Sequence, residues 1–513
     1  MDFVGVVSKP YDEGEWTVTV QTQDHPEGKP YFITPPIRTD LLELDCLAVG
    51  LYSQIVNSRL HARCSLYQCG GAYGYRDQLQ DLCAVVYDRP TYARNMLLTF
   101  AEHQYEEGDV MHWWHPPRQG VRTLCTDDRL FLCLALAKYV RITGDRDILE
   151  EEVAFLSSDP LGREEASRYE RPSLTRQKYT LREHAKRAIL SVLEYGSHEL
   201  LLVKGGDWLD GLSLVGCKGK GESVWLSMFA YLVITECIDF FIKDERMQLH
   251  RHLERLRHAI NGAFVNDRFV GYYTDEGMVI GGGSGAGALM LLPQVFATLC
   301  GAVDVSVANA ALALCRTLED RELGIVRLFS PPFGVADKVG YLATYPAEVR
   351  ENGGQYTHAV AWYIKALIVA GQVEHAYEIW QLVSPIERAK GEGYLHYRGE
   401  PYVVAADVYG GAYGGQAGWT WYTGSAGWLF DTLIEDFFGL KVYNQNLRIE
   451  PHLPRAWARI CVRYLWQGTE YIIQYQPSEE NAVLVEGRSV GQYLPLRPGV
   501  DKIKVLCLYK TEY

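Results

Sequence analysis

About twelve stretches of helical periodicity, joined alternately by short and by long connections, constrain this chain more than anything else in it. The spacing predicts helices at residues 40–67, 76–88, 91–103, 127–143, 181–195, 221–243, 244–264, 288–300, 304–319, 357–371, 372–383 and 424–438. Nearly every Gly-rich or His/Trp-rich stretch falls in a connection after an odd-numbered helix: residues 68–75, 104–126, 196–220, 265–287, 320–356 and 384–423. Most of the other connections are a few residues long, which makes their helices antiparallel neighbours, although a long insert at 144–180 breaks the pattern. Short links at one end and long links at the other place all the unusual loops on one rim. Six helical hairpins of this kind predict a mainly α fold, an (α/α)6 barrel whose pocket the rim loops line. A helical solenoid would need a repeated motif, and none is present.

Two other regions flank the expected barrel of residues 35–439. Beyond residue 440 the pattern turns to short β-prone runs, ARICVRYLW, EYIIQYQ and KIKVLCLY, so residues 440–513 are expected to form a small β-domain. Residues 1–34 hold one strand-like run, EWTVTVQT, followed by prolines. They are too short for a core of their own and read as a remnant or linker.

Composition limits the partners. With 48% hydrophobic and 22% charged residues the chain is of globular type, and a formal charge of −14 argues against nucleic acid. No charged start with an apolar run opens it, and no apolar stretch reaches membrane-spanning length, so a cytoplasmic protein is expected. The 12 cysteines show no CxxC pairing or His/Cys cluster, which favours reduced thiols and no metal.

The rim loops carry the chemistry. KGGDWLDGL sets Asp207 and Asp210 around Trp208, and a carboxyl desolvated by an indole can stay protonated as a general acid. Read alone, Asp and Gly in a loop are turn formers. ENGGQYTHAVAW puts Thr357 and His358, and GWTWYTGSAGWLF puts Thr423, Gly424 and Ser425, at helix starts, where free backbone NH groups suit an anion as well as an ordinary cap. YQCGGAYGYRDQLQD supplies Arg76, Asp77 and Asp81, a surface ion pair or a sugar-binding set. HQYEEGDVMHWWHPP adds His112, Trp113, Trp114 and His115, expected in a loop; sugar stacking or plain packing fits the spacing better than a zinc helix.

Taken in order, GYRDQLQD, EEGDVMHWWHPP, GDWLDG with GKGESVW, ENGGQYTHAVAW, EPYVVAADVYGG and GWTWYTGSAGW resemble glycoside hydrolase family 94, the inverting β-glucoside phosphorylases, from about residue 40 to 475. The wording is nearest to the phosphorylase region of cyclic β-1,2-glucan synthases and to 1,2-β-oligoglucan phosphorylases. The resemblance implies an N-terminal β-sandwich, which has no counterpart here, then a helical linker, the barrel and a C-terminal β-domain. It implies Asp210 as general acid, Trp208 beside the donor sugar, Arg76 and Asp77 binding that sugar, with Trp113 and Trp114 as further sugar contacts. His358, Thr423 and Gly424 would hold inorganic phosphate, the co-substrate, with no cofactor and no metal. The partners would be a β-glucan oligosaccharide and phosphate, with a homodimer in keeping with the family.

Two positions depart from the family pattern. Leu209 stands where GDWND has Asn, and Gly71 where cellobiose-type members have a phosphate-binding Arg. Two alternatives remain open at this stage. One is an inverting hydrolase on the same barrel with Glu348 or Glu351 as base. The other is an inactive or fragmentary glucan-binding part of a larger synthase.

Overall fold

The computed structural model describes residues 2–6, 19–23, 35–60, 71–162, 165–491 and 493–511. The helices are α1 (Leu42–Gln54, continued by a π turn Ile55–Leu60), α2 (Tyr75–Val85), α3 (Pro90–Ala101), α4 (Leu130–Thr143), α5 (Leu181–Val192), α6 (Val224–Cys237), α7 (Lys243–Gly262), α8 (Leu291–Leu299), α9 (Val305–Leu314), α10 (Thr357–Val369), α11 (Val373–Val383), two short ones, α12 (Pro385–Arg388) and α13 (Gly393–Tyr397), and α14 (Ser425–Asp431, continued by a π turn Thr432–Phe437). Each expected helix has its counterpart. The one expected at 40–67 is seen to Leu60, and its last residues lie outside the described ones.

The helices form two layers. Helices α2, α4, α6, α8, α10 and α14 each pack on the next, and α14 packs back on α2, which closes an inner ring. Helices α1, α3, α5, α7, α9 and α11 each lie against a member of that ring from outside. In several helices residue type follows the layer. α6 (VWLSMFAYLVITEC) and α10 (THAVAWYIKALIV) are apolar nearly all round, as a helix buried on every side must be. α7 buries only Leu249, Leu253, Leu256, Ala259 and Ile260 along one stripe and shows charge elsewhere.

All six inner helices start at the same end, and four of them follow directly on two-residue strands that pair with rim loops: Tyr73–Gly74, Glu222–Ser223, Leu289–Met290 and Gln355–Tyr356. The extended backbone of each strand leads straight into the first helical turn and fixes its side chains. The long insert at 144–180 holds three strands, Glu152–Ser157, Ser167–Glu170 and Ser173–Thr180, of which Ser167–Glu170 extends a rim sheet made by Tyr73–Gly74, Met111–His115 and Gln119–Thr123.

The C-terminal residues form five strands of a six-stranded sheet and a separate three-stranded one. Ile37–Thr39, expected within the barrel region, is instead the edge strand of the larger sheet, paired antiparallel with Val462–Tyr464. In the N-terminal segment Asp2–Val6 pairs with Thr19–Gln23. Among the described residues no helix is long and apolar enough to cross a membrane.

Candidate active site

Residues at the starts of α2, α4, α10 and α14 face a cavity of about 410 Å³ at the rim. Its walls include Arg59, Arg76, Asp77, His112, Asp128, Trp208, Asp210, Glu351, His358, Asp407, Thr423 and Gly424. Seven of the expected site residues therefore meet in one place.

Asp210 opens a 3-10 turn, Asp210–Leu212, whose Gly211 lies so close to Leu342 that an added Cβ would sit 2.5 Å from the leucine Cβ. Its Oδ2 accepts a hydrogen bond from Arg76 Nη2 at 2.7 Å, and its Oδ1 accepts one from the Cys125 thiol at 3.4 Å. Asp207 plays a different part. It is buried and accepts from Ser223 Oγ (2.6 Å), Tyr272 OH (2.9 Å) and the Leu209 amide (3.0 Å). Since Ser223 also caps α6 by accepting from the Leu226 amide, Asp207 ties its own loop to the start of that helix. Trp208 lines the cavity, but its ring packs on Tyr356, His358, Trp362 and Trp225. The expected desolvation of Asp210 by that indole gives way to direct contact with a guanidinium and a thiol.

Arg76, in the first turn of α2, also donates to Asp127 at 3.0 Å and lies 3.7 Å from Asp128. Burial and the neighbouring carboxylates push Asp127 upward, with Arg76 opposing. Burial would raise Asp128 too, but His112 at 2.6 Å and Arg76 hold it low. Burial alone would lower His112; the Asp128 carboxylate more than reverses this and pushes it up to about 9.

His358, the second residue of the 13-residue α10, is buried, and its Nε2 has no hydrogen-bond partner. Burial, with Arg76 and Arg59 nearby, holds its pKa far below the usual histidine range, so the ring is neutral. Thr423 Oγ1 pairs with Ser425 Oγ at 2.6 Å and accepts from the Ser425 amide at 3.1 Å. Gly424 lets this loop approach α2, where an added Cβ would sit 2.6 Å from Gln80 Nε2.

Several wall residues went unassigned in the sequence. Arg59, at the end of the π turn after α1, is held by Asp81 at 2.6 Å and lies over the Tyr422 ring. Asp407, on a two-residue strand paired with Gln355–Tyr356, accepts from the Trp419 amide at 2.8 Å while Oδ2 stays without a partner. Burial, with Glu351 adding to it, pushes Asp407 up to about 6. Nothing local marks either residue; each becomes a wall only when distant segments pair.

Trp113 and Trp114 require correction. They lie on a strand, not a loop, and neither lines the cavity. Trp114 is buried between His103 and Tyr73, with ring centroids at 4.0 and 5.6 Å, and Trp113 packs against His115 and Tyr169. A bulge between Met111 and Trp113 turns His112 to the cavity in their place.

Residues 46–439 match the catalytic domain of the glycosyl hydrolase 94 superfamily, which is most of the chain and every helix of the inner ring. The chain belongs to this family. Among glycosyl hydrolase 94 relatives, it is 39% identical over 432 residues to the cyclic beta-(1,2)-glucan synthase NdvB of Rhizobium meliloti, a match covering 82% of this chain and 15% of that protein. It is 28% identical over 411 residues to the solabiose phosphorylase of Paenibacillus borealis, covering 78% of this chain and 50% of the relative. The chain thus spans half or less of the length of these two relatives. Among solved structures, a GH78 family rhamnosidase of Bacillus sp. GL1 superposes with a TM-score of 0.53 at 13% identity, over 93% of this chain and 44% of that one. That likeness concerns the fold, a helical barrel of glycosidase type.

Proposed function

We propose that this chain is an inverting glycoside phosphorylase on an (α/α)6 barrel, cleaving a β-1,2-linked gluco-oligosaccharide with inorganic phosphate to give α-glucose 1-phosphate. The observation that carries the reading is the meeting of Asp210 and Arg76 with His358, Thr423 and Gly424 on the walls of one cavity. Family membership and the phosphorylase among the relatives support the reaction class, and the β-1,2-glucan synthase supports the linkage.

The chemistry follows from the placement. Arg76 and Asp77 hold the donor ring. Asp210 gives its proton to the glycosidic oxygen as the C1–O bond breaks, and phosphate attacks C1 from the opposite face, forming the new C1–O bond with inversion. A neutral His358, the Thr423 hydroxyl, the helix starts and the nearby Arg59 supply donors and positive potential for the anion. Phosphate, being the nucleophile, removes the need for a carboxylate base.

One observation favours a second reading, inverting hydrolysis. Glu351 and Asp407 line the same cavity and could activate water. Glu348 does not line it, and pairs with Arg327 at 3.1 Å. Incubation with sophoro-oligosaccharides, cellobiose and laminaribiose, each with and without phosphate, separates the readings. Phosphate-dependent glucose 1-phosphate from the sophoro-oligosaccharides is expected; free glucose released without phosphate establishes the hydrolase instead.

A further inference from the structure

Cys125 takes no part in the transfer just described, yet its thiol reaches Asp210. Three segments converge there: His112 on the rim strand, Cys125 before α4, and Asp128 at the start of α4. A ring nitrogen, a sulfur and a carboxylate oxygen from these residues lie within 4.8 Å of one another. Cys125 and Asp128 are buried, and His112 and Asp128 face the cavity.

Asp127, Asp128 and Asp210 surround Arg76, whose hydrogen bonds go to Asp127 and Asp210. Asp128 is left with His112 on Oδ2, and its Oδ1, though buried, accepts no hydrogen bond. An acceptor atom so placed, beside a thiol and an imidazole, is a donor set for a soft or borderline divalent ion, whereas magnesium and calcium take oxygen ligands.

We propose that His112, Cys125 and Asp128 bind a thiophilic divalent cation of the zinc class. The ion replaces the proton of the Cys125 thiol, whose sulfur lies 3.4 Å from Asp210 Oδ1 and 3.7 Å from the Asp207 carbonyl oxygen, together with one proton of the His112 ring. The ligands are 13 and 3 positions apart along the chain and come from a strand, a loop and a helix start, so no spacing motif announces them.

Titration of the full chain with Co²⁺ tests the site. The wild type is expected to develop a near-ultraviolet thiolate-to-cobalt charge-transfer band that Zn²⁺ abolishes and Mg²⁺ leaves unchanged. Cys125→Ser is expected to lose the band, while a double variant of the exposed cysteines, Cys46→Ser with Cys217→Ser, keeps it. His112→Ala is expected to weaken binding by about tenfold or more. No thiolate band in the wild type, or an unchanged band in Cys125→Ser, overturns the proposal. Parallel assays separate the two ideas: a Cys125-dependent band in a protein that releases no glucose 1-phosphate leaves the metal site standing and removes the phosphorylase reading.

Discussion

Asp210 has both carboxylate oxygens engaged, by Arg76 and by Cys125, while its neighbour Asp207 is fully committed to the scaffold. Replacing the acid by Asn keeps the shape and removes the proton, so kcat is expected to fall by about 10²- to 10⁴-fold with little change in melting temperature. For His358→Ala the loss belongs in phosphate binding: a rise in KM for phosphate of about 10- to 100-fold, from the loss of a hydrogen bond to a charged ligand, checked by initial rates across phosphate concentration. Asp407 carries a pH dependence. Its folded-state pKa of about 6 lies above the ordinary 3.8, so the native protein keeps a proton that the unfolded chain releases. Stability contributed by that proton is present below about pH 4 and is lost by about pH 6, a decline of about 3 kcal/mol. Denaturant unfolding of Asp407→Asn should lack this decline. At this scale the sequence showed residues that share a motif with a helix start, such as Asp210 and His358. It did not show Arg59 or Asp407, which strand pairing and helix packing bring to the cavity, and a single bulge exchanged His112 for its tryptophan neighbours.

Among the elements, an inner helix such as α6 was legible because burial on all sides leaves few polar positions, and an outer one such as α7 because it shows a single apolar stripe. Less legible were the two-residue strands ahead of the inner helices, which are too short to show alternation yet set the first helical turn on which the site is built. Ser223 joins one such strand to α6 and to Asp207. Ser223→Ala removes a cap and leaves a buried carboxylate short of one donor. A loss of about 2–4 kcal/mol in urea unfolding is expected, with a lower kcat as the acid loop loosens. Under the cavity, Trp362 of α10 touches Trp208, Trp225, Phe296, His358 and Trp428, and so forms the floor that the rim residues stand on.

The whole molecule has two unlike ends. The rim end collects helix starts and the cavity. At the other end Lys138, Arg141 and Lys365, each half-buried, pair with the buried Asp431, Glu435 and Asp436, with Tyr87 donating to Glu435 at 2.6 Å. The C-terminal sheets close that end: Arg141 donates to the Val442 carbonyl at 3.1 Å and Tyr475 to the Phe438 carbonyl at 2.8 Å. Lys365→Met strands the buried Asp436, and a loss of about 3–5 kcal/mol is expected in equilibrium unfolding. Loop lengths in the sequence foretold which end holds the cavity, because long connections gather where the inner helices begin. They could not foretell that Ile37–Thr39 crosses to the C-terminal sheet, since three residues carry no periodicity. The central claim is that this rim performs phosphate-driven, inverting transfer with Asp210 as acid. Proton NMR of the anomeric region during incubation with a sophoro-oligosaccharide and phosphate tests it most directly. The account predicts accumulation of α-glucose 1-phosphate by the wild type and none by Asp210→Asn on the same time scale; a β-anomer, free glucose without phosphate, or full activity in the variant would contradict it.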